Sequence, residues 1–189
     1  MDKLYLKFPT INEKEKFIEY IKEYRLDNPN AKPLGCTEEV NYEEWLIKIE
    51  KESNGIDLEE GRVPSTVYFL MNEEDKIIAH ISVRHSIDND FLRLYGGHIG
   101  YGVRPSERRK GYATIMLHLA LIKCNELGIK DVMISCKESN IGSAKTIENN
   151  LGVQKELIYI EDEQMNFKKY WINVEESINN FENRKGKTL

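Results

Sequence analysis

Apolar residues recur along this chain with two different periods. Phe17, Ile18 and Ile21 form a stripe within residues 12–25, and Trp45, Leu46 and Ile49 form another within 41–53. Both have the spacing of helices that bury one side. Asp27-Asn28-Pro29-Asn30 stops the first and Asn54-Gly55 the second. Shorter apolar or alternating runs at 4–8, 65–71, 77–85, 98–103, 132–134, 154–161 and 165–172 predict strands. The second and third are joined by a polar hairpin turn, Asn72-Glu73-Glu74-Asp75, and a loop at Asp88-Asn89-Asp90 precedes the fourth. Between 98–103 and 132–134 runs a longer apolar helix that ends near Leu127 with Gly128 as its left-handed cap. It has two apolar rows, Ile115/Leu119/Ile122 and Leu117/Leu121/Cys124, which predicts burial on two sides. A further helix covers 143–150 and stops near Gly152. Residues after Glu175, with Asn179-Asn180 and Arg184-Lys185-Gly186-Lys187, read as a fraying helix and tail. Strands alternating with helices on both sides of a central hairpin predict an α/β fold, a mixed sheet covered by helices. Neither a repeat nor an internal linker interrupts it. The expectation is one domain over 1–175, followed by a helical tail, 176–189.

The segment from Gly96 to Ala113 departs from this regular pattern. A strand runs into Val103, Pro105 breaks it, and a short basic turn ending at Gly111 opens the long helix. Several main-chain N–H groups are then left unpaired around one spot, which favours an anion. Arg104, Arg108, Arg109 and Lys110 lie in the same turn, so the expected ligand is a polyphosphate held by main-chain donors and reinforced by side-chain charge. The glycine spacing excludes two familiar ligand modes. A nucleoside-triphosphate loop needs Lys-Ser or Lys-Thr directly after its second glycine, but Tyr112-Ala113 follows Gly111. A dinucleotide fingerprint needs a third glycine after Gly100-x-Gly102, and Pro105 stands there.

What remains is Arg108-x-x-Gly111-x-Ala113. It resembles the acetyl-CoA pyrophosphate loop of the GNAT family of N-acetyltransferases. Val103-x-Pro105 sits where that family's fourth strand ends, and Asn140-x-x-Ser143 falls one strand later, where the family places Asn and Ala or Ser. The likeness spans roughly residues 60–172 with specific motifs, and is nearest to a bacterial subgroup of acetyltransferases without a defined substrate. It implies a mixed, mostly antiparallel sheet of about seven strands, flanked by helices and splayed at the acetyl-CoA site. It also implies direct transfer from thioester to amine, with acetyl-CoA as co-substrate. By motif match, Arg109, Lys110, Gly111, Tyr112, Ala113 and Thr114 offer amides to the pyrophosphate, Arg104 and Arg108 add charge, and Val103 contributes backbone. Asn140 and Ser143 match later cofactor contacts, with a helix cap at Asn140 or Ser139 as the simpler alternative. An approach of Lys145 to the adenosine phosphate competes with a solvated helix face.

The catalytic pair departs from the family pattern. Many members carry a carboxylate early in the fourth strand, but none lies between Arg93 and Val103. Many also place a Tyr in the helix after Asn140, where this chain has Ile147. A lysine-like amine costs roughly 4 to 5 kcal/mol to deprotonate at pH 7, so a base or water relay is valuable. His98, on the strand expected to border the thioester, is the first candidate base, and Tyr101 the second catalytic candidate. Strand alternation turns these two to opposite faces. His85, Tyr159 and Tyr170 are further candidates, set against ordinary hydrogen bonding and core packing. The departures leave a second reading open, a CoA-binding sensor or interaction module without turnover.

Bulk properties narrow the rest. With 189 residues, 40% hydrophobic and 31% charged, the chain is sized for one globular domain. A net charge of -5 argues against nucleic acid as a partner, so the positive charge is local. The chain has no apolar run of membrane-spanning length, and Met1-Asp2-Lys3-Leu4 has no signal-peptide core, so a cytoplasmic protein without membrane partners is expected. Cys36, Cys124 and Cys136 form no C-x-x-C pair and have no His at ligand spacing, so neither a metal nor thiol chemistry is expected. The acceptor is a small-molecule or peptide amine framed by residues 12–64, where Asp57, Glu59 and Glu60 could attract a cation or simply be solvated. A homodimer stays open.

Overall fold

Thr10 and Glu13 start the first helix. Thr10 N–H donates to Glu13 Oε2 at 2.9 Å, and the Thr10 hydroxyl accepts in return from the following turn, Ile11–Glu13. In this computed structural model, which describes residues 3–186, β1 (Tyr5–Lys7) and that turn lead into α1 (Lys14–Asp27). There follow α2 (Tyr42–Ser53), β2 (Ser65–Met71), β3 (Ile77–Arg84), β4 (Ile99–Val103) and α3 (Tyr112–Glu126). The chain continues through β5 (Asp131–Lys137), α4 (Ile141–Asn149), β6 (Val153–Ile160), β7 (Met165–Asn173) and α5 (Val174–Gly186). The part of the expected tail from 187 to 189 lies outside the described residues, as do Met1 and Asp2.

Among the described residues, seven strands form two antiparallel sheets, ordered β1-β2-β3-β4 and β5-β7-β6. Helices flank them, and each face has its own core. On one face α1 and α2 bury Phe17, Tyr20, Ile21, Trp45 and Ile49 against Val67 and Phe69 of β2. On the other, α3 and α4 close over both sheets with Leu117, Leu121 and Ile147 against Ile81, Ile134 and Tyr170. Of the two expected rows of α3, Leu117, Leu121 and Cys124 are fully buried, while Ile115, Leu119 and Ile122 are only half-buried. A third group, Met116, His118 and Ala120, turns inward instead, and His118 stacks on Phe181 of α5 at 3.7 Å. The start of the C-terminal helix is docked, with Val174 and Ser177 buried. The π-type turn Leu92–Gly96 has no counterpart in the sequence pattern, because Phe91, Leu92, Leu94 and Tyr95 fit neither period. Among the described residues, no helix is long and apolar enough to cross a membrane.

Candidate active site

The two sheets meet at one point and then part. His98 N–H donates to the Met133 carbonyl at 2.8 Å, and Met133 N–H donates back to His98 Nδ1 at 3.0 Å. The imidazole thus takes the place of a backbone carbonyl in the join between β4 and β5. Beyond it the strands diverge. In the β3–β4 ladder, Arg84 N–H donates to His98 O and Arg104 N–H to Ile78 O, so residues 98, 100, 102 and 104 face β3. Antiparallel alternation turns the main chain of Ile99, Tyr101 and Val103 the other way. All three line the cleft that the parting leaves, a cavity of about 870 Å³.

At the mouth of this cleft the basic turn curls tightly. Arg109 has φ 63° and Gly111 φ 84°, both left-handed, and Gly111 caps α3. A Cβ built on Gly111 meets no protein atom within 4 Å, so the space beside it is free. Thr114 N–H turns inward to the Gly111 carbonyl at 3.1 Å and is not available to a ligand. The five amides of residues 109–113 donate to no acceptor among the described residues. Successive N–H groups in such a turn make an anion-binding nest.

The side-chain charge of the turn is spent differently from what the sequence suggests. Arg104 is buried, and its guanidinium binds Glu23 Oε2 at 2.5 Å and Glu19 Oε1 at 2.9 Å, with a weaker bond to Ile77 O. It lies outside the cleft, so the expected cofactor contact of Arg104 gives way to a tie between β4 and α1. Arg108 pairs with Asp27 at 2.7 Å and donates Nε to the Val103 carbonyl at 3.3 Å. Lys110 pairs with Glu107 at 2.8 Å and its side chain does not line the cleft. Glu107 also binds Lys76 at 2.6 Å; burial alone would raise its carboxyl, but the two ammoniums hold it below the usual range. Arg109 alone of the four has no carboxylate partner among the described residues. Glu19, Glu23 and Asp27 recur every four residues on α1, a sequence signal that this face meets a cationic neighbour.

The opposite wall comes from α4 and β5. Asn140 Oδ1 accepts the Ser143 amide at 3.0 Å, which is the helix-cap alternative, and both residues also line the cleft. Ser143 Oγ lies 2.8 Å from the Tyr101 hydroxyl, and burial pushes that phenol up. Cys136 lines the cleft as well, so a thiol does lie near the cradle in space. Burial raises its pKa and keeps it a thiol. Ile147, in the place of the family's Tyr, is fully buried in the core. His98 lines neither this cleft nor the cavity described next, because its ring is held between the sheets. The expectation of His98 as base is therefore corrected to a structural role. His85 is bonded to Thr66 Oγ1 at 2.9 Å, Tyr170 donates to Glu148 at 3.1 Å, and Tyr159 is exposed; none lines either space. Lys145 is on the exposed side of α4.

A second cavity, of about 1050 Å³, opens on the α2 side of the same strands. His80, Ser82 and Arg84 of β3 form its floor, facing Gly102 and Gly100 of β4. Gly100, Tyr101 and Arg84 line both spaces, so the two meet across a strand segment that has no side chain at residue 100. Gly102 is glycine for a different reason: a Cβ there would lie 2.6 Å from the Tyr24 hydroxyl and 2.7 Å from His80 Cε1. His80 Nδ1 is 2.6 Å from the Tyr20 hydroxyl, and burial lowers the imidazole pKa to about 4. This row was missing from the sequence-based candidates. Its signal is His80-x-Ser82-x-Arg84, a polar alternation inside an apolar strand. Among the described residues, no group of three or more His, Cys, Asp or Glu side chains could hold a metal ion.

Comparison with known proteins agrees with this geometry. The model of the Acetyltransferase (GNAT) family matches residues 17–153. No curated protein sequence matches the chain. Among solved structures, RimJ of Mycobacterium smegmatis in complex with CoA-disulfide superposes with TM-score 0.70 at 13% identity, covering 92% of this chain and 83% of that one. The ribosomal-protein-S5-alanine acetyltransferase of Vibrio fischeri gives 0.67 at 14%, covering 92% and 96%. The Microcin C7 self-immunity acetyltransferase MccE, in complex with acetyl-CoA and AMP, gives 0.68 at 15%, covering 92% and 93%. At these identities the likeness is one of fold.

Proposed function

This chain belongs to the GNAT acetyltransferase family, and on that premise we propose that it transfers an acetyl group from acetyl-CoA directly to a primary amine entering through the α2-side cavity. The observation that carries this is the run of five unpartnered amides at 109–113, set at the mouth of a cleft lined by the outward main chain of β4. Solved proteins of the same fold hold CoA-disulfide or acetyl-CoA, which supports acetyl-CoA as the ligand.

Acetyl-CoA supplies the acyl group as a thioester already activated for attack by nitrogen. The amides of Arg109, Lys110, Gly111, Tyr112 and Ala113, with the Arg109 guanidinium, suit its diphosphate. The outward N–H and C=O groups of Ile99 and Tyr101 suit its amide-bearing arm, and Asn140 borders the same path. The Val103 carbonyl is already held by Arg108.

Tyr101 is the proton donor to the departing sulfur. Its raised pKa keeps the phenol protonated at working pH, and Ser143, 2.8 Å away, orients it. It supplies from the strand the hydroxyl that Ile147 cannot supply from the helix. No histidine stores the amine's proton. His98 and His85 are elsewhere, and His80 stays neutral because burial lowers its pKa to about 4, so it hydrogen-bonds rather than titrates. The proton leaves through water along the polar floor of the acceptor cavity. Cys136, kept as a thiol, takes no part, in keeping with a route free of a covalent enzyme intermediate.

The test is calorimetry with acetyl-CoA, followed by thiol release across a broad amine panel. Binding followed by release is expected. Absence of heat would overturn the reading, and saturable binding with sustained inactivity would favour a CoA-binding sensor.

A further inference from the structure

Among the described residues, Arg84 alone lines the cofactor cleft, the acceptor cavity and the smaller space of about 470 Å³ beside them. Its guanidinium is fixed from one end. Nη1 donates to the Gly96 and Gly97 carbonyls, each at 2.9 Å. Those two bonds use both Nη1 hydrogens, and Nε and Nη2 have no hydrogen-bond partner among the described residues. The free Nε–Nη2 edge can donate side by side to the two oxygens of a carboxylate. No carboxylate of the described protein supplies them within 4.0 Å, although Glu39, Glu44 and Glu52 lie elsewhere on the wall of the acceptor cavity. Burial and the nearby charge of Arg62 both act against the Arg84 cation. Arg104, which is buried where Arg84 is half-buried, has two glutamates.

Position adds size to charge. Arg84 Nη2 lies 3.8 Å from the place of a Cβ on Gly100, the side-chain-free residue that borders both spaces. An anion bound there sits only a few bonds from a nitrogen reaching across residue 100. A polyamine acceptor would instead bring a second cation against the guanidinium.

We propose that Arg84 is the anion-binding residue of the acceptor site, and that the acceptor is an amino acid, with its carboxylate close to the reacting nitrogen. This rests on the acetyl-transfer reading above. An aminophosphonate shares the chemistry, and the test separates the two.

Thiol release from acetyl-CoA is measured with the common amino acids, their amides, spermidine, and 1-aminoethylphosphonate beside alanine. At least one amino acid reacts about tenfold or more faster than its amide, the scale of a charge-assisted contact. Arg84→Gln erases that ratio and Arg84→Lys keeps part of it. The preferred amino acid, titrated into protein saturated with CoA, gives heat with the natural protein and none with Arg84→Gln. A faster phosphonate would retain Arg84 as the anion site and name the phosphonate as the acceptor type. Amides or spermidine reacting as fast as the acids would overturn the proposal, and so would inactivity toward the whole panel in protein that binds acetyl-CoA. Protein that fails to bind acetyl-CoA at all would overturn the acetyl-transfer reading beneath it.

Discussion

The cofactor cleft and the acceptor cavity meet at Gly100 but are built on opposite plans. In the proposed reading the cleft recognises with main chain: five consecutive amides at 109–113 and the outward groups of β4. Three of the four cations of its basic turn are neutralised by Glu19, Glu23, Asp27 and Glu107. The proposed acceptor cavity would recognise with side chains drawn from residues 34–101, and among the described residues its Arg84 has no carboxylate counter-ion. A main-chain cradle depends on conformation and tolerates varied side chains, whereas a side-chain cavity changes its ligand with single substitutions. One half of the site can therefore be common to a family while the other is particular to this chain.

Gly111→Val attacks the main-chain half and has the largest expected effect. Acetyl-CoA affinity should fall at least about 100-fold by calorimetry, because a side chain would occupy the free space beside the amides. The fold should persist in a thermal melt. A Cβ there meets no protein atom, so the cost to the fold is local strain at φ 84°, about 1–2 kcal/mol for an ordinary side chain and more for branched Val. Unchanged affinity would mean that the cradle is not the binding site.

The same contrast explains what could be read from sequence. The cradle was legible because its parts are adjacent: a proline, a glycine and a helix start within nine residues, from Pro105 to Ala113. Strand and helix positions were legible from their periods, with β2 falling where its pattern put it. The role of His98 was not, because the bond that defines it comes from Met133, thirty-five residues away. Nor was the fate of Arg104, whose partners sit on α1, or the floor His80-Ser82-Arg84, which becomes a site only when α2 closes a cavity over it. Local composition shows charge, but whether that charge is free depends on distant partners.

Tyr101→Phe tests the boundary between the halves. Tyr101 lines both spaces, yet its proposed task is proton donation and not binding. Turnover should fall about 100-fold while acetyl-CoA affinity stays within a few-fold, the pattern of a lost general acid. A rise in KM with unchanged turnover would make Tyr101 a wall of the site and no more.

The last effect is on stability rather than on binding or turnover; it belongs to the acceptor side alone and concerns acid. His80 has a folded pKa of about 4, below its unfolded value near 6.5, because burial disfavours the imidazolium. Between these values the unfolded chain binds a proton that the folded chain refuses. The contribution of a neutral His80 is thus complete above pH 6.5 and is lost as pH falls toward 4. The loss is on the order of 3 kcal/mol, about 6 to 12 °C in melting temperature for a chain of this size. His85 and His98 are shifted in the same direction, so the measure is the difference between natural protein and His80→Asn. Asn can keep a nitrogen near Tyr20 without titrating. Glu13, Glu23 and Glu107, held below the usual carboxylate range, contribute their own losses at lower pH. His80→Asn should therefore melt less steeply with pH between 6.5 and 5 than the natural protein. Parallel curves would show that His80 is hydrated in solution, and the floor of the acceptor cavity would then be open to water in a way that the cradle side is not.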